Sequence, residues 1–393
     1  MAPFDNQAPL HVIGCVYDLR VGGAETSLLA EFSRMGSHGI SVEVLCLGED
    51  RTLLPRFRDA GIPVTFVRGD SKGRTLRNLV RFLRASDADL VHTMLFWPDV
   101  IVRPLARILG MRVVTSLTNE YYGPEHRTNS KYGAPGVLAA QLADFLSSRF
   151  ARRFHAISQR SASVMSRRLA LRTANVRVIY RGRDLAHLGR RTDERRMAVR
   201  STLGIRGETI FLCVGRHDFQ KAHEIAIEAF AQLTPPSNGA VLLLAGRSGG
   251  NAEQIEAALD RVGRPSSIRL LGEREDVGDL LAASDVFVMP SRFEGLGGSV
   301  IEAMALEIPM ILTDIAIFRE VSANRAWFFE RDDTHGLATQ MRSFIEGSFP
   351  PEWTGELRTR AEEHFSIDGV ARDMAEFYRK SAAPPTSPDS LHT

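Results

Sequence analysis

Cysteine is scarce, with three in 393 residues at positions 15, 46 and 213. Each lies inside an apolar run (HVIGCVYD, SVEVLCLG, TIFLCVG), so the pattern reads as reduced core thiols and excludes a disulfide scaffold or a cysteine zinc site. Lysine is nearly missing. Of 49 basic residues only Lys72, Lys131, Lys221 and Lys380 are lysines, which makes the position of each worth weighing. No apolar run approaches the roughly 20 residues that cross a bilayer. Residues 1–9 lack both a basic and an apolar signal-peptide region, so a cytoplasmic protein is expected. The spaced G-x-G-x-x-G of dinucleotide-binding enzymes is also absent.

What is present is a large globular composition, 44% hydrophobic and 24% charged, long enough for two domains or three. The net charge of +2 conceals an asymmetry. Through Asp184 there are 26 basic against 16 acidic residues, and beyond it 23 against 31, as expected if the halves meet different partners. Short Val/Leu/Ile-rich runs recur at 10–17, 41–47, 63–67, 89–92, 112–116, 154–158 and 176–180. They resume at 209–215, 240–246, 267–271, 286–290, 308–313 and 327–330. They do not alternate in polarity, as strands buried on both faces should not. Amphipathic stretches between them (23–38, 76–85, 223–233, 251–262, 276–283) complete a βαβ pattern, which occurs twice.

The fold class is therefore α/β, with two doubly wound Rossmann-like domains expected to face each other across a cleft. Residues 1–186 form the first domain and 187–366 the second. A helix over 367–382 follows, and 383–393 is a Pro/Ser/Thr-rich tail expected to be disordered. The Arg-rich stretch 181–196 reads as the linker. Ligands of such sheets bind beyond the carboxyl ends of the strands.

Three motifs sit at such ends. The strongest, S-R-F-E-G-L-G-G-S-V-I-E-A-M-A over 291–305, runs from a buried strand through a glycine turn into a helix. Gly295, Gly297 and Gly298 let a ligand approach backbone amides at a helix start that favours phosphate, and Glu294 and Glu302 can accept from sugar hydroxyls. Residues 299–302 (SVIE) equally read as a capping box in which Glu302 accepts from the Ser299 amide. Second is G-R-H-D-F-Q-K over 215–221, where Arg216 and Lys221 suit a diphosphate or form an ordinary solvated loop pair. Third is Gly22-Gly23 at the start of a helix, a weak phosphate-turn signal.

In this order the motifs resemble the GT-B-fold glycosyltransferases of family 4 (glycosyl transferases group 1), retaining enzymes that use nucleotide sugars. The resemblance is nearly continuous over 175–320. It implies that Arg216 and Lys221 hold the diphosphate, Glu302 the ribose and Glu294 the donor sugar. It also implies that Gly272 to Arg274 lies beside the base, that Gly22 and Gly23 close over the phosphates, and that the last helix crosses back to the first domain. Three positions depart from the family: Ala222 replaces a glycine, Arg181 an asparagine, and Thr118 a histidine usually found beside the donor sugar. His92, His126 and His155 read as structural.

Glu294, Arg216 and Lys221 are thus the expected catalytic set, with no cofactor beyond a UDP- or GDP-linked donor. Fixed cations and amides take the place of a metal. Asp87-Ala88-Asp89 has the spacing of a metal site but reads as a helix-to-strand junction. The basic first half is expected to hold a glycan or lipid-linked acceptor for cell-surface polysaccharide or glycolipid synthesis, with Tyr121, Tyr122 and Arg127 in the loop 119–132 as candidates. Arg74, Arg77, Arg81 and Arg84 form one helical stripe opposite Leu76, Leu79, Val80 and Leu83. That stripe is either a solvated face or a contact for the inner, anionic membrane surface. Two other classes stay open, a catalytically silent nucleotide-sugar-binding or partner protein and a sugar phosphorylase or epimerase. Nucleic-acid binding has no motif behind it.

Overall fold

Residues buried on both faces of a parallel sheet leave no room for polar alternation, and the thirteen runs named above become thirteen strands. The structure, a computed structural model, describes residues 9–123, 127, 133–233 and 239–384. By its internal contacts the chain divides into two compact units, residues 1–182 with 367–393 and residues 183–366.

In the first unit the elements run β1 (Leu10–Val16), α1 (Gly23–Met35), β2 (Ile40–Cys46), α2 (Leu54–Asp59), β3 (Val64–Phe66), α3 (Lys72–Ala85) and β4 (Leu90–Met94). They continue with α4 (Phe96–Ile108), β5 (Arg112–Leu117), α5 (Gly133–Ser148), β6 (Arg153–Ala156), α6 (Gln159–Arg168) and β7 (Val176–Val178). The sheet is parallel throughout, in the order β3-β2-β1-β4-β5-β6-β7. The order reverses direction at β1, so the crossovers on either side of it pack on opposite faces. Accordingly Leu79 and Leu83 of α3 share one core with Val102 and Ala106 of α4. Leu28 and Phe32 of α1 lie in a separate core.

The second unit comprises α7 (Leu185–Leu188), α8 (Asp193–Thr202), β8 (Thr209–Val214), α9 (His223–Phe230), β9 (Ala240–Ala245), α10 (Ala252–Arg261), β10 (Ile268–Gly272) and α11 (Val277–Ala283). After these come β11 (Val286–Met289), α12 (Gly298–Ala305), β12 (Met310–Thr313), α13 (Ala316–Ser322), β13 (Trp327–Phe329), α14 (Thr334–Ile345) and α15 (Glu352–Phe365). Its sheet is also parallel, ordered β10-β9-β8-β11-β12-β13. The last helix, α16 (Ile367–Ala382), returns to the first unit and packs Val370, Met374, Phe377 and Tyr378 into the core beside α1.

Three expectations change. The Arg-rich stretch 181–196, read as the linker, does hold the boundary between the units after residue 182, but it is folded: it contains α7 and the start of α8, and Arg191 and Arg196 dock on the second unit. Arg191 donates to the carbonyls of Ala282 and Ser284, and Arg196 to Asp285 Oδ1 at 2.6 Å. The capping box over 299–302 does not form, because α12 starts two residues earlier than the box requires, with Gly297 rather than Ser299 as its N-cap. Leu76, expected in the core, is half-exposed, one turn before the buried Leu79. The start of the tail is described only to Pro384, and residues 385–393 lie outside the described residues, as does His126.

One buried hydrogen-bond chain ties α16 to β4, β5 and β6. His155 Nε2 must donate to the Ile179 carbonyl at 2.7 Å, which leaves its Nδ1 to accept from Ser116 Oγ at 2.7 Å. Ser116 then accepts from His92 Nε2, and His92 Nδ1 accepts from the Tyr378 hydroxyl, each at 2.7 Å. Burial lowers His92 to about 3 and His155 to about 4, so both stay neutral in the fold. The unfolded chain protonates near pH 6.5 and the folded one does not, so stability is lost as pH falls below that value. Glu31 and Asp99, raised by burial to about 7, act in the opposite sense, so the histidine effect is read as a difference between proteins. Urea unfolding at pH 7 and pH 5 should show a steeper loss of stability in the wild type than in His155→Gln. An equal or steeper loss in the variant would contradict the assignment.

Candidate functional site

In the second unit, β8 and β11 are neighbours, so the loops at their carboxyl ends emerge side by side. Residues 215–221 and 291–297 are bound to each other through their backbones. Arg292 N donates to the Gln220 carbonyl at 2.8 Å, Gln220 Nε2 to the Phe293 carbonyl at 2.9 Å, and Arg292 Nη1 to the Phe219 carbonyl at 2.7 Å. The Arg292 guanidinium also stacks 4.1 Å from the Phe219 ring centre and pairs with Glu224 at 2.8 Å, whose other oxygen accepts from Asn251.

This clasp brings Lys221 to Glu294. Lys221 Nζ donates to Glu294 Oε1 at 2.5 Å, and Ser291 Oγ donates to the same oxygen at 3.0 Å. The Glu294 side chain is 8% exposed and that of Lys221 18%. Both side chains are largely shielded from solvent, so each charge depends on the other for compensation. Arg216 is more exposed and pairs with Asp218 at 3.0 Å, within its own loop. Ala222 adopts φ 50° while fully buried, the left-handed conformation in which glycine is unstrained and alanine costs about 1 kcal/mol.

Gly295, Gly297 and Gly298 form the turn into α12. Gly297 has φ 82°, and a Cβ there would press on the Phe318 ring. A Cβ on Gly298 would overlap the Arg183 guanidinium. Glu302, in the same helix, pairs with Arg183 Nε at 3.2 Å. Burial raises its carboxyl above the ordinary value, and Arg183 pulls it part of the way back. Gly272 closes β10 with φ 67°, and Arg274 is held by Asp276 at 2.7 Å.

In the first unit, Gly22 caps α1 and Gly23 opens it, with the Glu25 carboxylate folded against Gly22. Glu25 borders a cavity of about 410 Å³ at the carboxyl ends of β1, β4 and β5. Tyr17, Asp18, Arg20, Leu95, Phe96, Trp97 and Tyr121 complete its lining. Asp18 is gripped by Arg20 through two bonds of 2.8 and 2.5 Å, and burial raises the Glu25 carboxyl above its ordinary value. Tyr122, expected to be free for an acceptor, is buried with φ 71° and its hydroxyl donates to Asp144 at 2.8 Å. It anchors the loop and leaves Tyr121 as the ring at the cavity. Arg127 is exposed, with its amide on the Gly123 carbonyl. Arg74, Arg77, Arg81 and Arg84 are all exposed on α3, and Arg74 pairs with Asp70 at 2.7 Å. Asp87 and Asp89 both bind His11, the first its ring and the second its amide, as a strand junction would.

Sequence reasoning missed Arg183, Ser291 and Arg292, although all three lay inside segments it had singled out. It also missed Asp18, Arg20 and Glu25, whose signal was only their place just after the first strand.

The profile of Glycosyl transferases group 1 matches residues 208–347, and that of Glycosyltransferase Family 4 matches residues 21–187. The chain belongs to this glycosyltransferase family. It is 28% identical to a lipopolysaccharide core biosynthesis mannosyltransferase, LpsB, of Rhizobium meliloti (strain 1021), over 42% of this chain and 50% of that one. It is 26% identical to an alpha-D-kanosaminyltransferase of Streptomyces kanamyceticus, over 54% of this chain and 55% of that one. The chain thus spans about half the length of each of these relatives. Anabaena Alr3699/HepE in complex with UDP and glucose shares the fold at a TM-score of 0.81, with 19% identity, 94% of this chain and 100% of that one covered. The glycosyltransferase WaaG, involved in lipopolysaccharide biosynthesis, aligns at 0.71, with 18% identity over 93% and 99%. The fold is GT-B.

The shielded Lys221–Glu294 pair makes a prediction for stability as well as activity. Lys221→Ala strands the Glu294 carboxylate and should cost about 3 kcal/mol in chemical denaturation. Adding Glu294→Gln to that variant should recover about half of the loss. Strict additivity of the two substitutions would mean that the charges do not interact.

Proposed function

We propose that this family member is a retaining, metal-independent glycosyltransferase. It would move a hexose-type sugar from a UDP- or GDP-linked donor to a glycan or lipid-linked acceptor in cell-surface polysaccharide or glycolipid synthesis. The observation that carries the proposal is the Lys221–Glu294 pair, held at the carboxyl edge of the second sheet beside the glycine turn into α12. A diphosphate needs compensating positive charge, and a sugar needs acceptors for its hydroxyls. One pair offers both.

In this reading residues 187–366 take the donor. Lys221 and Arg216 meet the diphosphate together with the amides at the start of α12, and Glu302 accepts from the ribose hydroxyls. The Gly272 to Arg274 segment lies beside the base. Glu294 orients the donor sugar and stabilises positive charge developing at its anomeric carbon. The bond from that carbon to the phosphate oxygen breaks, a bond to the acceptor oxygen forms on the same face, and the acceptor proton passes to the departing diphosphate. No separate general base is required. Residues 1–186 take the acceptor, with Gly22 and Gly23 towards the phosphates. The UDP-bound neighbour and the lipopolysaccharide mannosyltransferase relative support the donor and acceptor classes respectively.

Lys221→Ala and Glu294→Gln should each lower turnover about a hundredfold or more, measured as release of nucleoside diphosphate. EDTA should leave the wild-type rate unchanged. Full activity in either variant, or abolition by EDTA, would reject this assignment. Donor binding by calorimetry with no diphosphate release across a panel of acceptors would favour a silent binding protein instead, the reading that Thr118 in place of the family histidine keeps in view.

A further inference from the structure

Helix α5 is built inside out. Its Asp144 and Ser147 point inward, where the fully buried Arg103 of α4 holds them. Arg103 Nη1 donates to Asp144 Oδ1 at 3.1 Å and to Ser147 Oγ at 3.0 Å, Nε donates to Thr115 at 3.0 Å, and Nη2 faces Asp99 at 3.0 Å. With Asp144 and Ser147 fixed on the inner side, helical periodicity turns Leu138, Leu142 and Leu146 outward at four-residue steps. They are 49%, 58% and 55% exposed. The neighbouring α4 adds Trp97, Ile101 and Ile108 on its own outer side, with Ile108 73% exposed. Scattered apolar side chains at a surface are ordinary, but two adjacent helices with outward apolar rows are not.

The charges around these rows say what covers them. Helices α3, α4 and α5 lie side by side on one face of the first sheet, since α3 and α4 share a core and α4 grips α5. Together they carry two carboxylates, Asp99 and Asp144, and both are buried on Arg103. Their exposed charges are all positive: Lys72, Arg77, Arg81 and Arg84 on α3, Arg107 on α4, and Arg74, which pairs with Asp70 outside the helix. An outward face with leucine, isoleucine and tryptophan, exposed arginines and no exposed carboxylate on its helices complements an anionic lipid surface. A soluble acidic protein would answer the arginines but not the apolar rows. The apolar row on α4 also begins at Trp97, which lines the cavity at the strand ends.

We propose that the outer face of α3, α4 and α5 is a docking surface for an anionic lipid bilayer, with the α4 and α5 side chains entering the headgroup region and the α3 arginines resting on the phosphates. This goes beyond the donor-site reading and does not depend on it, because the readout is binding and not transfer.

The test is sedimentation of the full chain with vesicles of phosphatidylcholine alone and of phosphatidylcholine with one third phosphatidylglycerol, at low salt and at about 1 M salt. Binding is expected to the anionic vesicles at low salt and to fall sharply at high salt. Leu142→Glu with Leu146→Glu should abolish it, and Arg77→Glu with Arg81→Glu should weaken it about tenfold or more. Because all four side chains are exposed, thermal unfolding of these variants should match the wild type. Should a variant unfold, the lipid and salt dependence of the wild type decides alone. No binding to anionic vesicles at low salt, equal binding to both vesicle types, or undiminished binding by the folded leucine variant would overturn the proposal. So would a concentration-dependent dimer in ultracentrifugation that the leucine variant dissolves while vesicle binding is unchanged, which would assign the face to a second copy.

Discussion

A lysine and a carboxylate 2.5 Å apart at the mouth of a sheet hold each other's charge, and the second unit is arranged to keep them so. Neither is well placed to lose its partner, with the carboxylate 8% exposed and the ammonium 18%. Their meeting depends on β8 and β11 being neighbours, and it is locked by Arg292, which binds the backbone of the opposite loop and stacks on Phe219. The left-handed Ala222 directly after the lysine shows what that placement demands of the backbone. In the proposed reading, a site held this way is set before any donor arrives, which is how electrostatic stabilisation becomes effective in catalysis.

The first unit is organised around a different buried charge. Arg103 satisfies Thr115, Ser147, Asp99 and Asp144, and Asp144 in turn holds the Tyr122 hydroxyl. One guanidinium therefore fixes the orientation of α5 and, through Tyr122, the loop after β5 that presents Tyr121 to the cavity. A hydrophobic residue at 103 would pack against the sheet but would give Asp144 and Ser147 no reason to face inward. The outward leucines follow from that preference for polar pairing, so the apolar surface and the placement of Tyr121 share a cause.

The sheet elements were legible because a strand buried on both faces has to be apolar at every position, and such runs stand out against the helices between them. Helix α5 was not legible. Its leucines, Asp144 and Ser147 read along the chain as an ordinary amphipathic mixture, and only the partner on α4 reveals which side faces in. Tyr122 misled for a related reason, since a tyrosine in a polar loop gives no sign that its hydroxyl has a buried carboxylate to reach. The SVIE capping box failed because Gly297 could take φ 82° and start the helix first, leaving Glu302 to Arg183.

By itself the sequence determined the parallel α/β class, the two-sheet plan and the positions of the glycine turns that open α1 and α12, since burial patterns and glycine-led helix starts are local in the chain. It also carried the family, through motifs short enough to read along one strand and its turn. Tertiary structure alone decided that Lys221 reaches Glu294, that Arg183 reaches Glu302 and that α5 turns its leucines outward. Each of those is a contact between residues more than forty positions apart, and long-range pairing of charges has no signature in local composition.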